Sequence, residues 1–402
     1  MPQSRSTSRF LMLVTFLAFI SIGFPDAVLG VAWPQMRVSF DRSLSDVGFI
    51  LFSSGSGYFL SGILAGRAIE TLGVGKLLAL STSMVAIGLF GYAAMPSLWP
   101  LLAFAVIIGL GSGAIDTGLN FFAAEHFSVT VMNWLHAFFG IGAMLGPFIV
   151  VSVFAAGGTW RVGYIVVASA IATMAVVFFF TLNQWGNGAH AEQDAPPEKV
   201  PVRAVLRSST AWMQILMFHF MAGIEAAAGL WTATLMIERF GAGKSEAGIW
   251  AGLFWGAMAV GRLVLAPLSG DLDPRRLVQL GTIGVLGGAV MMIPDQKLLF
   301  QAGVLLFGLA MAPLFPTMMS LTPMRLGSGM ALHAIGFQVS AATLGIVTIP
   351  TLGGLIAERT DFVAIPIAMT IGAVIVVGLD MRLRATADRR QPARQPELPQ
   401  GA

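Results

Sequence analysis

An acid inside a segment that must cross a bilayer constrains a chain more tightly than any other feature of this sequence. From Phe10 to Ala32 the residues are apolar over a length that spans a membrane, and Asp26 lies among them in GFPDAVLGVAW, Gly23 to Trp33. A spanning helix takes about 20 such residues. A carboxylate at its centre costs about 2.5–3.5 kcal/mol on insertion scales, so it faces a cavity or a partner and is a candidate functional group.

The pattern returns half a chain later. EAAAG at Glu225 to Gly229 repeats DAVLG at Asp26 to Gly30, with acid, Ala and Gly in step, 199 positions on. The same offset relates Gly57 to Gly256, Gly62 to Gly261, and Gly109 of GLGSG to Gly308 of GLAMA; an offset of 197 relates the His-Ala of His136 to that of His333. With 47 glycines a single Gly match says little, but a shared order across two halves says more. It reads as a duplicated half, the internal repeat of many transporter folds, with the substrate site between the halves near the midplane.

Composition agrees. Hydrophobic residues make up 56% and charged residues 11%, against about 25% charged in soluble domains, too little polar surface to cover a soluble globule. Small residues let membrane helices approach closely, and Gly62/Gly66, Gly109/Gly113 and Gly142/Gly146 have the four-residue spacing that suits this. The absence of cysteine excludes disulfides, thiolate metal sites and cysteine catalysis. The net charge of +3 does not point to nucleic acid, because the basic residues sit in short loops and tails with no basic stripe among aromatics. No HExxH, GxxxxGK[ST] or GxSxG is present, so neither a metal, nor ATP hydrolysis, nor enzyme chemistry is expected, and no cofactor.

Apolar runs predict an all-α polytopic membrane protein with twelve spans, near 10–32, 44–66, 76–95, 98–124, 130–155, 160–184, 211–237, 246–270, 276–293, 298–320, 327–355 and 362–381. They group into an N-terminal six-helix bundle over 1–184, a polar, Pro-containing cytoplasmic linker over 185–209, a C-terminal six-helix bundle over 210–385 and a disordered tail over 386–402. The 23 Lys and Arg fall about two to one on the side holding both ends, which places both termini in the cytoplasm of a cell membrane.

Three acids fall well within spans: Asp26, Asp116 and Glu225. Arg262 is the one deep basic residue, so Glu225 either serves a site or pairs with Arg262. Asn120 follows Asp116 on the same helical face in GLGSGAIDTGLN, and either shares its cavity or bonds an adjacent helix. His136 in NWLHAFFGIGAMLGP and His333 in ALHAIGFQ suit either proton transfer or packing. Trp33, Trp134, Trp231, Trp250 and Trp255 suit sugar stacking or interfacial packing, with one or two of them expected in the cavity.

These residues resemble the major facilitator superfamily over essentially the whole chain. GILAGRAIETLGVGK is similar to that family's GxLaDRxGRK loop through Gly62, Arg67, Gly73 and Lys76, with Gly66 where the Asp is expected; GRLVLAPLSGDLDPRR keeps Asp271, Arg275 and Arg276 in the second half. Within the family the chain looks most like the fucose permease-type sugar:proton symporters. The acid in helix one, the acid of Gly-rich helix four followed by Asn, and the FPT of Phe315 to Thr317 carry that similarity. The departures are Gly23 where those proteins carry Asn, and Asn133, His136 and Phe139 where they carry Asn, Gln and Asn. The lost amides mean that hexose specificity is not inherited.

The resemblance implies two pseudo-symmetric bundles that move a small, neutral, polar, sugar-like solute by alternating access, with Asp26 and Asp116 coupling transport to protons. Asn120, Asn133, His136, Glu225, Trp231 and Gln338 are the expected substrate contacts; Arg67, Arg262, Asp271 and Arg275 are the expected gating residues. The alternative is a proton-coupled antiporter exporting cationic or amphipathic compounds. The expected partners are the solute, protons and the lipid bilayer, with no nucleic acid, and the chain is expected to act as a monomer.

Overall fold

The computed structural model describes residues 9–127, 129–185, 201–265 and 272–390. They form α1 (Arg9–Ser39), α2 (Val47–Ala94), α3 (Leu98–His126), α4 (Val129–Ala155), α5 (Trp160–Thr181), the short α6 (Val202–Arg207), α7 (Ser209–Phe240), α8 (Lys244–Leu265), α9 (Pro274–Met291), α10 (Lys297–Met311), α11 (Leu314–Leu326), α12 (Ser328–Arg359) and α13 (Ala364–Arg390). Among the described residues eleven segments are long and apolar enough to cross a membrane. The shortfall from twelve is α9, whose first turn is Pro274-Arg275-Arg276.

α2 holds two spans. Its helix breaks only at Gly73, at φ 74° and ψ 160°, a backbone state open to glycine and closed to residues with a Cβ. Glycines show the reversal. A Cβ on Gly109 or Gly113 of α3 would meet the backbone of Ser54 or Tyr58, so the first arm runs parallel to α3. Gly118 faces Leu77 while Gly91 faces Phe104, so the second arm runs antiparallel to it.

Other boundaries depart from the expected ones for local reasons. α10 and α11 make one span bent at Ala312 and Pro313. α6 stands inside the expected linker, and Ser208 then caps α7 by accepting from the Ala211 N–H at 3.2 Å. α13 continues to Arg390, past the expected start of the tail at 386. Residues 186–200, 266–271 and 391–402 lie outside the described residues.

The two groups of helices repeat one packing scheme. α1 lies on α4, where a Cβ on Gly142 would meet the Ile20 carbonyl and one on Gly146 the Phe24 carbonyl. α7 lies on α12 in the same way, with Gly345 against the His219 carbonyl. Gly109 against Ser54 and Gly308 against Phe254 are a second corresponding pair. Gly62 and Gly66 depart from the small-residue expectation: a Cβ on either would meet no atom of a described residue within 4 Å.

Among the described residues the groups touch each other chiefly along two seams and at one crossing. α4 and α8 pack lengthwise, with Gly248, Gly252 and Gly256 receiving Val151, Phe148 and Met144. α2 meets α12 through Gly48 on Thr351 and Gly55 on Val347. α1 crosses α7 at Gly30 and Gly229. Polar ties close the face that carries the α1–α2 and α7–α8 connections, called here the loop face. Arg37 of α1 pairs with Glu238 of α7. The Ser45 N–H and hydroxyl donate to the two oxygens of Glu358 at 2.7 and 2.8 Å.

Candidate functional site

A cavity of about 400 Å³ lies between the two helix groups. That volume is within the range of small-molecule pockets. Its wall is mainly apolar, with Leu29, Ile50, Ile108, Phe139, Phe315 and Val347 among its residues, and a few polar groups converge on it.

The repeated pentapeptides set its centre. Asp26 and Glu225 both line the cavity, and the glycines that end the two motifs, Gly30 and Gly229, are in backbone contact one turn further on. Asp26 accepts no hydrogen bond from a described residue. The position of an unpaired carboxyl in the middle of a spanning helix is therefore met by an opening rather than by a partner. Glu225 also makes no ion pair among the described residues. Arg262 instead donates through Nε to the Ala312 carbonyl and through Nη1 to the His136 carbonyl of α4, each at 3.4 Å.

Asp116 lies behind the wall. Its Oδ1 accepts from Asn120 Nδ2 at 2.8 Å, and the same nitrogen donates to the Asp116 backbone carbonyl at 2.9 Å. Its Oδ2 accepts from the Tyr58 hydroxyl at 2.8 Å, and Tyr58 itself lines the cavity. The i, i+4 spacing that joins Asn120 to Asp116 thus makes Asn120 a support for the acid, not a lining group.

Several sequence candidates stand elsewhere. Trp231 is fully buried and its indole N–H donates to the Pro350 carbonyl at 3.1 Å. Gln338 is buried in a polar cluster, donating to Thr322 Oγ1 at 3.1 Å, with Gln214 Oε1 at 3.3 Å from the same hydroxyl. The His136 ring packs edge-on against Phe19. None of these three lines the cavity. The Asn133 side chain and all of Asp271 lie outside the described residues. Arg67 is exposed, and the Arg275 N–H helps start α9 by donating to Asp273 Oδ1 at 3.0 Å.

A family model described as Major Facilitator Superfamily matches residues 11–332 and 215–401. The chain belongs to the major facilitator superfamily. It is a membrane transport protein with that family's two-bundle fold, and not an enzyme. It is 22% identical to the human sodium-dependent glucose transporter 1 over 410 residues, 90% of this chain and 76% of that one. It is 23% identical over 386 residues to the glucose/mannose transporter GlcP of Bacillus subtilis (strain 168), 93% of this chain and 94% of that one. The structure of the E. coli fucose:proton symporter FucP superposes with a TM-score of 0.65 at 16% identity, covering 96% of this chain and 100% of that chain.

Within this facilitator fold, the cavity contains residues that sequence reasoning passed over. The protein has three tyrosines, and all three, Tyr58, Tyr92 and Tyr164, line this one cavity. Tyr92 and Tyr164 stand edge to face at 5.3 Å. Their rarity was the available signal. Of the candidate tryptophans named from the sequence, only Trp255 lines the cavity, and its buried indole N–H has no hydrogen-bond partner among the described residues. Among the described residues no group of three or more His, Asp or Glu is placed to hold a metal ion.

Proposed function

We propose that the protein moves a neutral, polar, sugar-like solute across the cell membrane by alternating access, with Asp26 and Asp116 coupling that movement to protons. The observation that carries the reading is the placement of Asp26: without a hydrogen-bond or ion-pair partner among the described residues, in the middle of α1, and open to the cavity between the halves. An ionised acid there opposes closure of the site around it, and protonation removes the charge so that the halves can swing. The sugar transporters among the relatives, and the converging Tyr, Trp and Glu side chains on an otherwise apolar wall, support the solute class. We place both termini in the cytoplasm from the distribution of Lys and Arg. The closed loop face is then extracellular.

The test is uptake of radiolabelled D-glucose, D-mannose and L-fucose into proteoliposomes under an inside-alkaline pH gradient. A parallel sodium gradient is included because one relative is a sodium-dependent transporter. Accumulation driven by the pH gradient alone is the expected result; accumulation that needs sodium, or none with any sugar, counts against the reading. A second reading, proton-coupled export of cationic or amphipathic compounds, is favoured by the apolar wall and the two cavity acids, and predicts export of a lipophilic cation in the same vesicles.

Arg262 bears on cycling under either reading, because it ties α8 to α4 in the other half. Arg262→Ala should slow transport several-fold while equilibrium affinity for the solute stays within a few-fold. Complete loss of binding in a folded variant would assign Arg262 to the solute instead.

A further inference from the structure

We infer that the Tyr58 hydroxyl is the element that links solute binding in the cavity to the protonation of Asp116. The inference rests on the proton-coupled reading and deepens it by assigning a positioning residue that couples the two events.

Asp116 does not line the cavity and Tyr58 does, so the 2.8 Å bond from Tyr58 to Oδ2 is the described polar path between them. The backbones hold this pair together. A Cβ on Gly109 would lie 2.9 Å from the Tyr58 nitrogen, and one on Gly113 would lie 2.9 Å from the Tyr58 carbonyl oxygen, so α2 and α3 approach closely on both sides of the tyrosine. The carboxyl group is held as well. Asn120 Nδ2 donates both to Oδ1 and to the Asp116 carbonyl, which can only accept, so the amide must present its nitrogen there.

This arrangement leaves one place for an added proton. At Oδ1 a proton would face the N–H of Asn120, donor against donor. At Oδ2 it faces a hydroxyl, which both donates and accepts. A proton arriving from cavity water therefore settles on Oδ2 when Tyr58 reverses its role, accepts from the acid, and turns its own O–H toward the cavity. Tyr58 is neutral before and after, and one proton has moved from water to Asp116. Run the other way, a solute oxygen that takes the Tyr58 O–H removes a donor from the carboxylate and favours its protonation. Solute and proton then bind cooperatively, because linkage between two sites is reciprocal.

Few other charges enter the account. α1 brings Asp26 to the cavity beside Tyr58, and α7 brings Glu225 across from it. The charged residues of α2, Arg67, Glu70 and Lys76, are exposed, and the titratable side chain of α4, His136, lies against Phe19.

The experiment measures proton uptake from weakly buffered detergent solution when D-glucose is added to the purified protein, with glucose affinity followed across pH. Wild type should take up protons on adding glucose, and its affinity should weaken as pH rises, by at most about tenfold per unit for one linked proton. Tyr58→Phe should bind glucose with a weaker dependence on pH and with less proton uptake than wild type, the remainder being the share of Asp26. Uptake of wild-type size in Tyr58→Phe overturns the inference and leaves the proposed function standing; glucose binding without proton uptake in wild type overturns both. If glucose does not bind wild type, D-mannose and L-fucose are used in its place, and binding by none of the three counts against both. If Tyr58→Phe does not fold, infrared difference spectra of wild type and Asp116→Asn decide. Sugar addition should produce a protonated-carboxyl band that is diminished in Asp116→Asn, and a band of undiminished size there overturns the inference.

Discussion

Asp26→Asn and Asp116→Asn should each abolish accumulation driven by a pH gradient, while solute exchange without a gradient persists in Asp26→Asn. A gradient of one pH unit carries about 1.4 kcal/mol per proton, enough for about tenfold accumulation at one proton per solute. An amide has the shape of a protonated acid and no proton to release, so the variants keep a state that can bind and cycle but lose the driving force. The two sites differ in what the amide meets. Asp26 gives up no hydrogen bond to a described residue. At position 116 the new amide must offer its oxygen to Asn120 and its nitrogen to Tyr58, which fixes Tyr58 in the accepting orientation and removes the part of the pH dependence of binding that runs through position 116. Glu225→Gln should mainly change affinity, because Glu225 lines the cavity without joining this chain of bonds. The measurement is proteoliposome uptake set beside counterflow exchange. If both Asn variants accumulate solute at wild-type levels with unchanged pH dependence, the acids are structural.

What the sequence revealed of this site, and what it hid, follows from how membrane helices carry information. Asp26 and Glu225 stand out because an acid in an apolar span has no other inexpensive explanation, and the repeat pairs them in the sequence itself. The family fold followed from spans, duplication and loop motifs for the same reason. Which side of a uniformly apolar helix faces a cavity is another matter. α7 is buried around most of its circumference, so Trp231 and Glu225, six residues apart, gave no hint that one would bond a carbonyl of α12 and the other open into the cavity. Gln338 was misplaced likewise: an amide in a span signals a partner, and that partner proved to be Thr322 rather than a ligand. A single tyrosine is unremarkable in a spanning helix; the signal was that the whole chain has three, and it does not say which of them bonds Asp116.

The crossing of the repeated motifs supplies the other large effect, and its two glycines should fail differently. A Cβ on Gly30 would lie 2.4 Å from the Gly229 carbonyl oxygen and 3.0 Å from Leu230 Cα, both backbone atoms that cannot rotate away. Gly30→Ala therefore forces α1 and α7 apart in this conformation. Overpacking of this kind costs about 1–3 kcal/mol, and where only one of two states has the contact, that cost becomes a shift in their ratio of about 5- to 150-fold. A Cβ on Gly229 would instead meet the Trp255 ring, 2.6 Å from Cζ2, and that ring borders the cavity into which it can move. Gly229→Ala should thus leave the loop face closed and weaken solute affinity. The protein has no cysteine, so spin labels on Ser43→Cys and Thr360→Cys, both exposed on the loop face, report its closure without background. Gly30→Ala should lengthen the label distance and cut the transport rate, whereas Gly229→Ala should keep the distance and raise KM. An unchanged distance distribution in Gly30→Ala would mean that α1 and α7 do not form the closing contact, and the role given to the crossing would be withdrawn.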